Sequence, residues 1–264
     1  MPMELKVAGK TAFVATAGKT LDRDRPSILF VHGAGLDHSV WPLPMRYFAR
    51  HGRNVLAVDL PGHGRSEGPP LTTIEAMGDW LLKVLDAAGL EQSAFVGHSM
   101  GSLVTLAAAG RHAARTRALV LIGASAPMPV HERLLAAAQA NAHGAIDMLN
   151  IWGHSQAGQI GGVGAPGLWK TGSALRLWEQ AAPGVIYADL KACNAYKEGQ
   201  THAAQVACPA LVIIAERDIM TPPSAGRKLA HVIANARTVI IRNSGHALLE
   251  EQPNAVLDAL AEVL

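Results

Sequence analysis

The stretch Gly97-His98-Ser99-Met100-Gly101 decides how this chain is read. A short apolar run, Ser93-Ala94-Phe95-Val96, leads into it, and a run with helical character, Ser102-Leu103-Val104-Thr105-Leu106-Ala107-Ala108-Ala109, leaves it. A serine with a glycine two places to either side, at such a junction, predicts a sharp strand-to-helix corner. The serine backbone there is strained, and side chains at the flanking positions would collide, so glycine is needed at both. The corner pushes the hydroxyl out of the sheet and sets it at a helix N-terminus, where amide dipoles favour negative charge.

Working outward, apolar runs and amphipathic segments alternate. Residues 3–16 read as two short strands around Gly9-Lys10, and Ser27-Ile28-Leu29-Phe30-Val31 reads as a buried strand. A short helix follows over Pro42 to His51, then the buried strand Asn54-Val55-Leu56-Ala57-Val58. Residues 72–88 place Ile74, Met77, Leu81, Leu82 and Leu85 at helical spacing behind a threonine start. Beyond the serine corner come a helix to about His112 and the strand Ala118–Ile122. This alternation predicts an α/β fold with a mostly parallel sheet covered on both faces.

The rhythm stops after Ala126. Residues 127–204 hold no convincing strand: a helical stretch runs from Pro129 to about Leu149, a glycine-rich stretch covers 158–167, and helical segments cover about 173–181 and 184–196. The strands resume at Ala210–Ile214 and Thr238–Ile241, separated by a helix from Pro223 and followed by a last helix from about Ala247. The expected organisation is a core of residues 1–126 and 205–264, with a helical cap, 127–204, inserted between two core strands.

Composition narrows the function classes. The 264 residues are 49% hydrophobic and 17% charged, enough for one sizeable core. A formal net charge of +2 without a dense basic run gives no support for a nucleic-acid or anionic-membrane partner. The start, Met1-Pro2-Met3-Glu4-Leu5-Lys6, lacks a basic segment followed by an apolar stretch, and no apolar run reaches membrane-spanning length. The two cysteines, Cys193 and Cys208, form no Cys-x-x-Cys pair and fit reduced thiols. A cytoplasmic protein, monomer or homodimer, acting on a small molecule is expected.

A serine hydroxyl needs a base to take its proton and a third group to hold that base. In a sheet of this kind both should follow the serine, on loops at the carboxyl ends of later strands. The loop after Ala210–Ile214 reads Ala215-Glu216-Arg217-Asp218-Ile219-Met220-Thr221-Pro222, and the loop after Thr238–Ile241 reads Arg242-Asn243-Ser244-Gly245-His246. Asp218 is preferred to Glu216 as the orienting acid, and His246 is the base. His98 and His63 are read as a packing residue and part of a rigid turn, and His32 as a buttress of its own loop. For the developing oxyanion, backbone N–H groups are expected from Met100 and from Ala34 in His32-Gly33-Ala34-Gly35.

On these residues the chain resembles α/β-hydrolase-fold enzymes of the Ser-His-Asp type over essentially its whole length. The matching pieces are His32–Gly35 with Trp41, Asp59-Leu60-Pro61-Gly62-His63-Gly64-Arg65-Ser66, the serine corner, Glu216-Arg217-Asp218 with Pro222, and Gly245-His246. The resemblance implies an eight-stranded, mostly parallel sheet with an antiparallel second strand, a cap after the sixth strand, and neither metal nor organic cofactor. Carboxylic ester hydrolysis is the first expectation. Lactone hydrolysis, carbon–carbon bond hydrolysis and perhydrolase or haloperoxidase chemistry use the same triad, and some proteins of this fold are ligand-binding receptors. Ala247 stands where carbon–carbon hydrolases often carry tryptophan, which lowers that alternative, and Ser99 argues against the dehalogenases and epoxide hydrolases, which carry aspartate at the corner. Gly33, Met128, Trp152, Leu168 and Trp169 are the expected substrate-pocket residues. The absence of a cationic cluster in the cap points to neutral or apolar substrates.

Overall fold

A computed structural model describes residues 3–161 and 169–264. The order of elements is β1 (Met3–Val7), β2 (Lys10–Ala15), β3 (Ser27–Val31), α1 (Pro42–Arg50), β4 (Asn54–Val58), α2 (Ile74–Ala88), β5 (Ser93–His98), α3 (Met100–Arg111) and β6 (Thr116–Ile122). Then come α4 (Glu132–Gln139), α5 (His143–Gly153), α6 (Gln156–Gln159), α7 (Lys170–Glu179), α8 (Val185–Ala195) and α9 (Gly199–Gln205). The chain closes with β7 (Ala210–Ala215), α10 (Pro223–Val232), β8 (Ala236–Ile241), α11 (Leu248–Glu251) and α12 (Pro253–Ala261).

The strands form one eight-stranded sheet in the order β1-β2-β4-β3-β5-β6-β7-β8. β2 is antiparallel to both β1 and β4, and all the other neighbours are parallel. Every residue of β3 and β4 is buried, as a sheet covered on two sides requires. Alternate residues face opposite layers. Leu29 and Val31 join the cluster formed with α2 and α3, whereas Ile28 and Phe30 pack with Trp41, Met45 and Phe48 beside α1 and with Val256 and Leu260 of α12. The fold is the α/β-hydrolase architecture expected from the sequence.

Between β6 and β7 the described residues are helical and contain no strand. Leu134, Leu149, Trp178 and Leu190 head a separate apolar cluster there. The later part of this segment behaves differently: Cys193, Tyr196 and Ala203 join the core cluster, and Gly110 of α3 lies so close to His202 of α9 that a Cβ would stand 2.5 Å from its carbonyl oxygen.

Two helical stretches are broken where the sequence pattern runs on. The expected helix from Pro129 to Leu149 is α4 and α5, interrupted at Asn141, whose φ is +49° and whose side-chain oxygen accepts the Gly184 N–H at 2.7 Å. Nothing local marks that break, because its partner is 43 residues away. The last helix is α11 and α12, divided at Gln252 where Pro253 opens the second piece.

Candidate active site

The serine corner is built as its glycines require. Ser99 sits at φ +54°, ψ −120°, between β5 and α3. A Cβ on Gly97 would run into the Gly101 carbonyl, and one on Gly101 into the Val31 carbonyl. Neither neighbour is a side chain that can swing aside, so both positions exclude any larger residue. Ser102 and Thr105 add hydroxyl bonds to the Ser99 and Gly101 carbonyls that hold the first turn of α3.

Asp218 and His246 meet across the ends of β7 and β8. The His246 Nδ1–H donates to Asp218 Oδ2 at 2.7 Å, and both side chains are buried. The other Asp218 oxygen accepts the Met220 and Thr221 N–H groups, each at 2.8 Å, and the Thr221 hydroxyl donates to Oδ2 at 2.7 Å. Burial works against the Asp218 charge. The adjoining imidazole and the Thr221 hydrogen bonds outweigh it and hold the carboxyl below its ordinary pKa. Because Nδ1 carries the proton toward Asp218, His246 Nε2 is the free ring atom. It is buried, has no hydrogen-bond partner, and belongs to a residue lining the same cavity as Ser99.

The Glu216 carboxylate is used elsewhere, accepting the Asn243 N–H at 2.9 Å. His98 does more than fill space. Its Nε2 donates to the His246 carbonyl at 2.9 Å, fixing the backbone of that loop. Burial first, and then the neighbouring His246, push His98 down to about 3, so it stays neutral. Gly123, at φ +58°, passes under the imidazole: a Cβ there would stand 3.1 Å from His246 Cε1. Glu251 joins two segments, one oxygen accepting the Ser155 N–H at 2.7 Å and the other the Gly245 N–H at 2.9 Å. No local sequence signal marks Thr221, Gly123 or Glu251 for these tasks; each depends on a partner brought in by the fold.

The His32–Gly35 loop is held from below and above. His32 Nδ1 donates to the Gly33 carbonyl at 2.9 Å while its Nε2 accepts the Leu60 N–H at 3.1 Å, so the ring buttresses its loop as expected. Burial, then His63, keeps His32 uncharged, at about 3. Two helical residues from beyond β6 grip the next peptide group: Trp178 Nε1 donates to the Ala34 carbonyl at 3.0 Å, and Asp189 accepts the Gly35 N–H at 2.8 Å. Asp189 also accepts from His63 Nε2 at 2.8 Å, while His63 Nδ1 faces the Pro61 carbonyl at 3.1 Å. Both His63 nitrogens therefore face acceptors, which only the imidazolium satisfies. Burial opposes that charge, but Asp189 overcomes it and raises the His63 pKa.

The cavity above Ser99 has a volume of about 340 Å³. Met128, Leu134, Leu149, Trp152 and Trp178 form much of its wall, and Gly33 and Ala34 line it as well. A Cβ on Gly33 would stand 3.2 Å from Ser99 Cβ. Among the described lining residues there is no lysine or arginine. Trp169, expected at this pocket, is placed elsewhere: it is 71% exposed and borders a separate outer groove with Lys170 and Pro253. Its ring covers Gly172, which turns it away from the cavity. Leu168 lies outside the described residues, as do positions 162–167 of the glycine-rich stretch. Among the described residues one group elsewhere has metal-ligand chemistry, Asp37, His38 and Asp59. The Asp59 oxygens there are occupied by the His38 N–H and ring and by the Arg65 N–H, which pins the loop.

With this geometry in place, comparison with known proteins fixes the class. The sequence profile of the alpha/beta hydrolase family matches residues 28–259, and the chain belongs to that family. It is 25% identical over 240 residues to (E)-2-((N-methylformamido)methylene)succinate hydrolase of Acinetobacter baylyi, an alignment covering 88% of each chain. Its fold is similar to that of an enol-lactonase from Burkholderia xenovorans (TM-score 0.89, 24% identity, 98% of each chain). It is also similar to that of a thermophilic esterase from Thermogutta terrifontis (TM-score 0.85, 20% identity, 99% and 97% of the two chains). No helix among the described residues is long and apolar enough to cross a membrane.

Proposed function

We propose that the chain is a serine hydrolase that cleaves a carboxylic ester of a small, uncharged substrate through an acyl-enzyme on Ser99. Ser99 Oγ attacks the carbonyl carbon as His246 Nε2 takes its proton. The resulting oxyanion is held by the N–H groups of Met100 and Ala34. Collapse expels the alcohol, which leaves with the proton from His246. Water then attacks the acyl carbon, giving a proton to the same nitrogen, and the acid and free Ser99 are released. Asp218 keeps the Nδ1 proton in place and stabilises the imidazolium. The observation that carries this reading is the buried Nε2 of His246, left without a hydrogen-bond partner on a residue that lines the cavity of Ser99, while its other nitrogen is fixed 2.7 Å from Asp218.

In this reading residues 127–204 form a lid domain on a core of 1–126 and 205–264, and Met128, Trp152 and Trp178 form the substrate wall. The absence of a lysine or arginine among the described lining residues supports an uncharged substrate, in contrast to the Acinetobacter relative, whose name gives a succinate derivative. Opening a lactone is the same chemistry with the alcohol tethered, so lactones belong in the same substrate panel. The test is turnover of p-nitrophenyl butyrate and a set of lactones by the parent chain and by Ser99→Ala. A fall in kcat of roughly 10⁴-fold or more is expected for the variant, and retained turnover overturns the assignment.

A further inference from the structure

Two buried polar atoms in the cavity wall have no hydrogen-bond partner and meet each other only as a loose ion pair. His154, from the end of α5, and Glu250, from α11, both line the cavity that holds Ser99. His154 Nε2 and Glu250 Oε2 stand 3.6 Å apart, beyond hydrogen-bond length, and neither has any hydrogen bond. Buried polar atoms are rarely left so, because the loss of hydration is not recovered. The His154 side chain is fully buried, and the rest of the pair is firmly anchored. His154 Nδ1 donates to the Asn150 carbonyl at 2.8 Å, which fixes the tautomer and aim of the ring. Lys170, which borders the outer groove and not the cavity, donates to the Glu250 backbone carbonyl.

We propose that His154 and Glu250 form a polar subsite that recognises a hydroxyl group on the substrate, making this a hydrolase of hydroxylated esters or lactones. The proposal rests on the Ser99 reading for its chemistry but not for the binding. Two atoms 3.6 Å apart can both lie about 2.8 Å from a single oxygen. A hydroxyl can donate to the Glu250 carboxylate and accept from a protonated His154 Nε2. Burial lowers the His154 pKa, but Glu250 more than compensates and raises it, which favours the proton on Nε2. An ammonium group would satisfy Glu250 and face the His154 cation. A carboxylate would face Glu250, and no lysine or arginine among the described lining residues offsets that. Apart from Ser99, His246, His98, His131, Cys193 and Thr221, the remaining described wall is apolar and rich in leucine, tryptophan and methionine, which hold the carbon skeleton but distinguish hydroxylated from plain chains poorly.

The test uses ethyl and hydroxyalkyl esters in which one hydroxyl is moved carbon by carbon along the acyl or the alcohol portion, each paired with its deoxy partner. Calorimetric Kd values are measured on Ser99→Ala, which holds the ligand without turning it over, and kcat/KM values on the parent. For at least one position the hydroxylated ester should bind roughly tenfold or more tightly than its partner. That ratio should fall close to one when Glu250→Met, or separately His154→Phe, is added to Ser99→Ala. No preference at any position, or a preference that survives both substitutions, overturns the subsite. Because the ratio is taken within each protein, a general loss of folded material does not mimic the result. Binding preference without turnover by the parent would contradict the Ser99 reading and leave the subsite standing; turnover without preference would do the reverse.

Discussion

Ser99 owes its exposure to two glycines whose missing side chains let β5, α3 and β3 meet almost backbone to backbone. That much was legible, because glycine at both positions and a strand-to-helix change are local features. Asp218 and His246 were legible from chain order and strand ends. Thr221, Gly123 and His98 were not, since a hydroxyl, a bare backbone and a neutral imidazole acquire their roles only when distant loops converge on His246. Gly123 is the sharpest of these. In Gly123→Ala the new methyl group would press on the imidazole at 3.1 Å, at a backbone angle of +58° that alanine adopts with strain. The expected result is a fall in kcat of about tenfold or more with little change in KM, read by steady-state kinetics, because a small misplacement of the proposed base acts on the chemical step.

At the level of elements, α7 and α8 reach back to the loop after β3 and hold both ends of one peptide group, the Ala34 carbonyl and the Gly35 N–H. The next peptide toward the N-terminus carries the Ala34 N–H, and its carbonyl is held by His32. The helical segment is thereby tied to the geometry of the proposed oxyanion donors, and Asp189 is a positioning residue. In Asp189→Asn, kcat should drop by about 10- to 100-fold while labelling of Ser99 by a fluorophosphonate persists more slowly; unchanged kcat would separate the helices from the chemistry.

The same contact carries a pH signature. The His63 pKa is raised above 6.5 in the fold, so its pairing with Asp189 stabilises fully below the unfolded value and is lost as pH rises through the folded one. Thermal midpoints should therefore fall more steeply as pH rises above 6.5 in the parent than in His63→Gln, and parallel curves would count against the buried ion pair. The sequence showed His63 as a turn residue and nothing of this link, because Asp189 lies 126 positions away. The broken helix at Asn141 was hidden for the same reason: the alanine-rich pattern runs on, and the Gly184 partner is remote.

Over the whole molecule, the strand rhythm of the sequence translated directly into the sheet, because each buried run supplies both faces of one strand. The segment between β6 and β7 translated less well. Tryptophans there carry apolar area without an address: Trp152 and Trp178 line the cavity, whereas Trp169 covers Gly172 beside an outer groove. Which one faces substrate is decided by helix packing, not by spacing. The assembled result is a sheet whose carboxyl edge presents Ser99 to a mostly apolar cavity that the buried His246 also lines. The most direct measurement of that account is covalent capture: incubation with a fluorophosphonate followed by peptide mass spectrometry. The account predicts one phosphonyl adduct, on Ser99, slowed at least a hundredfold in His246→Ala and absent in Ser99→Ala. A parent chain that remains unlabelled, or an adduct on another serine, would contradict it.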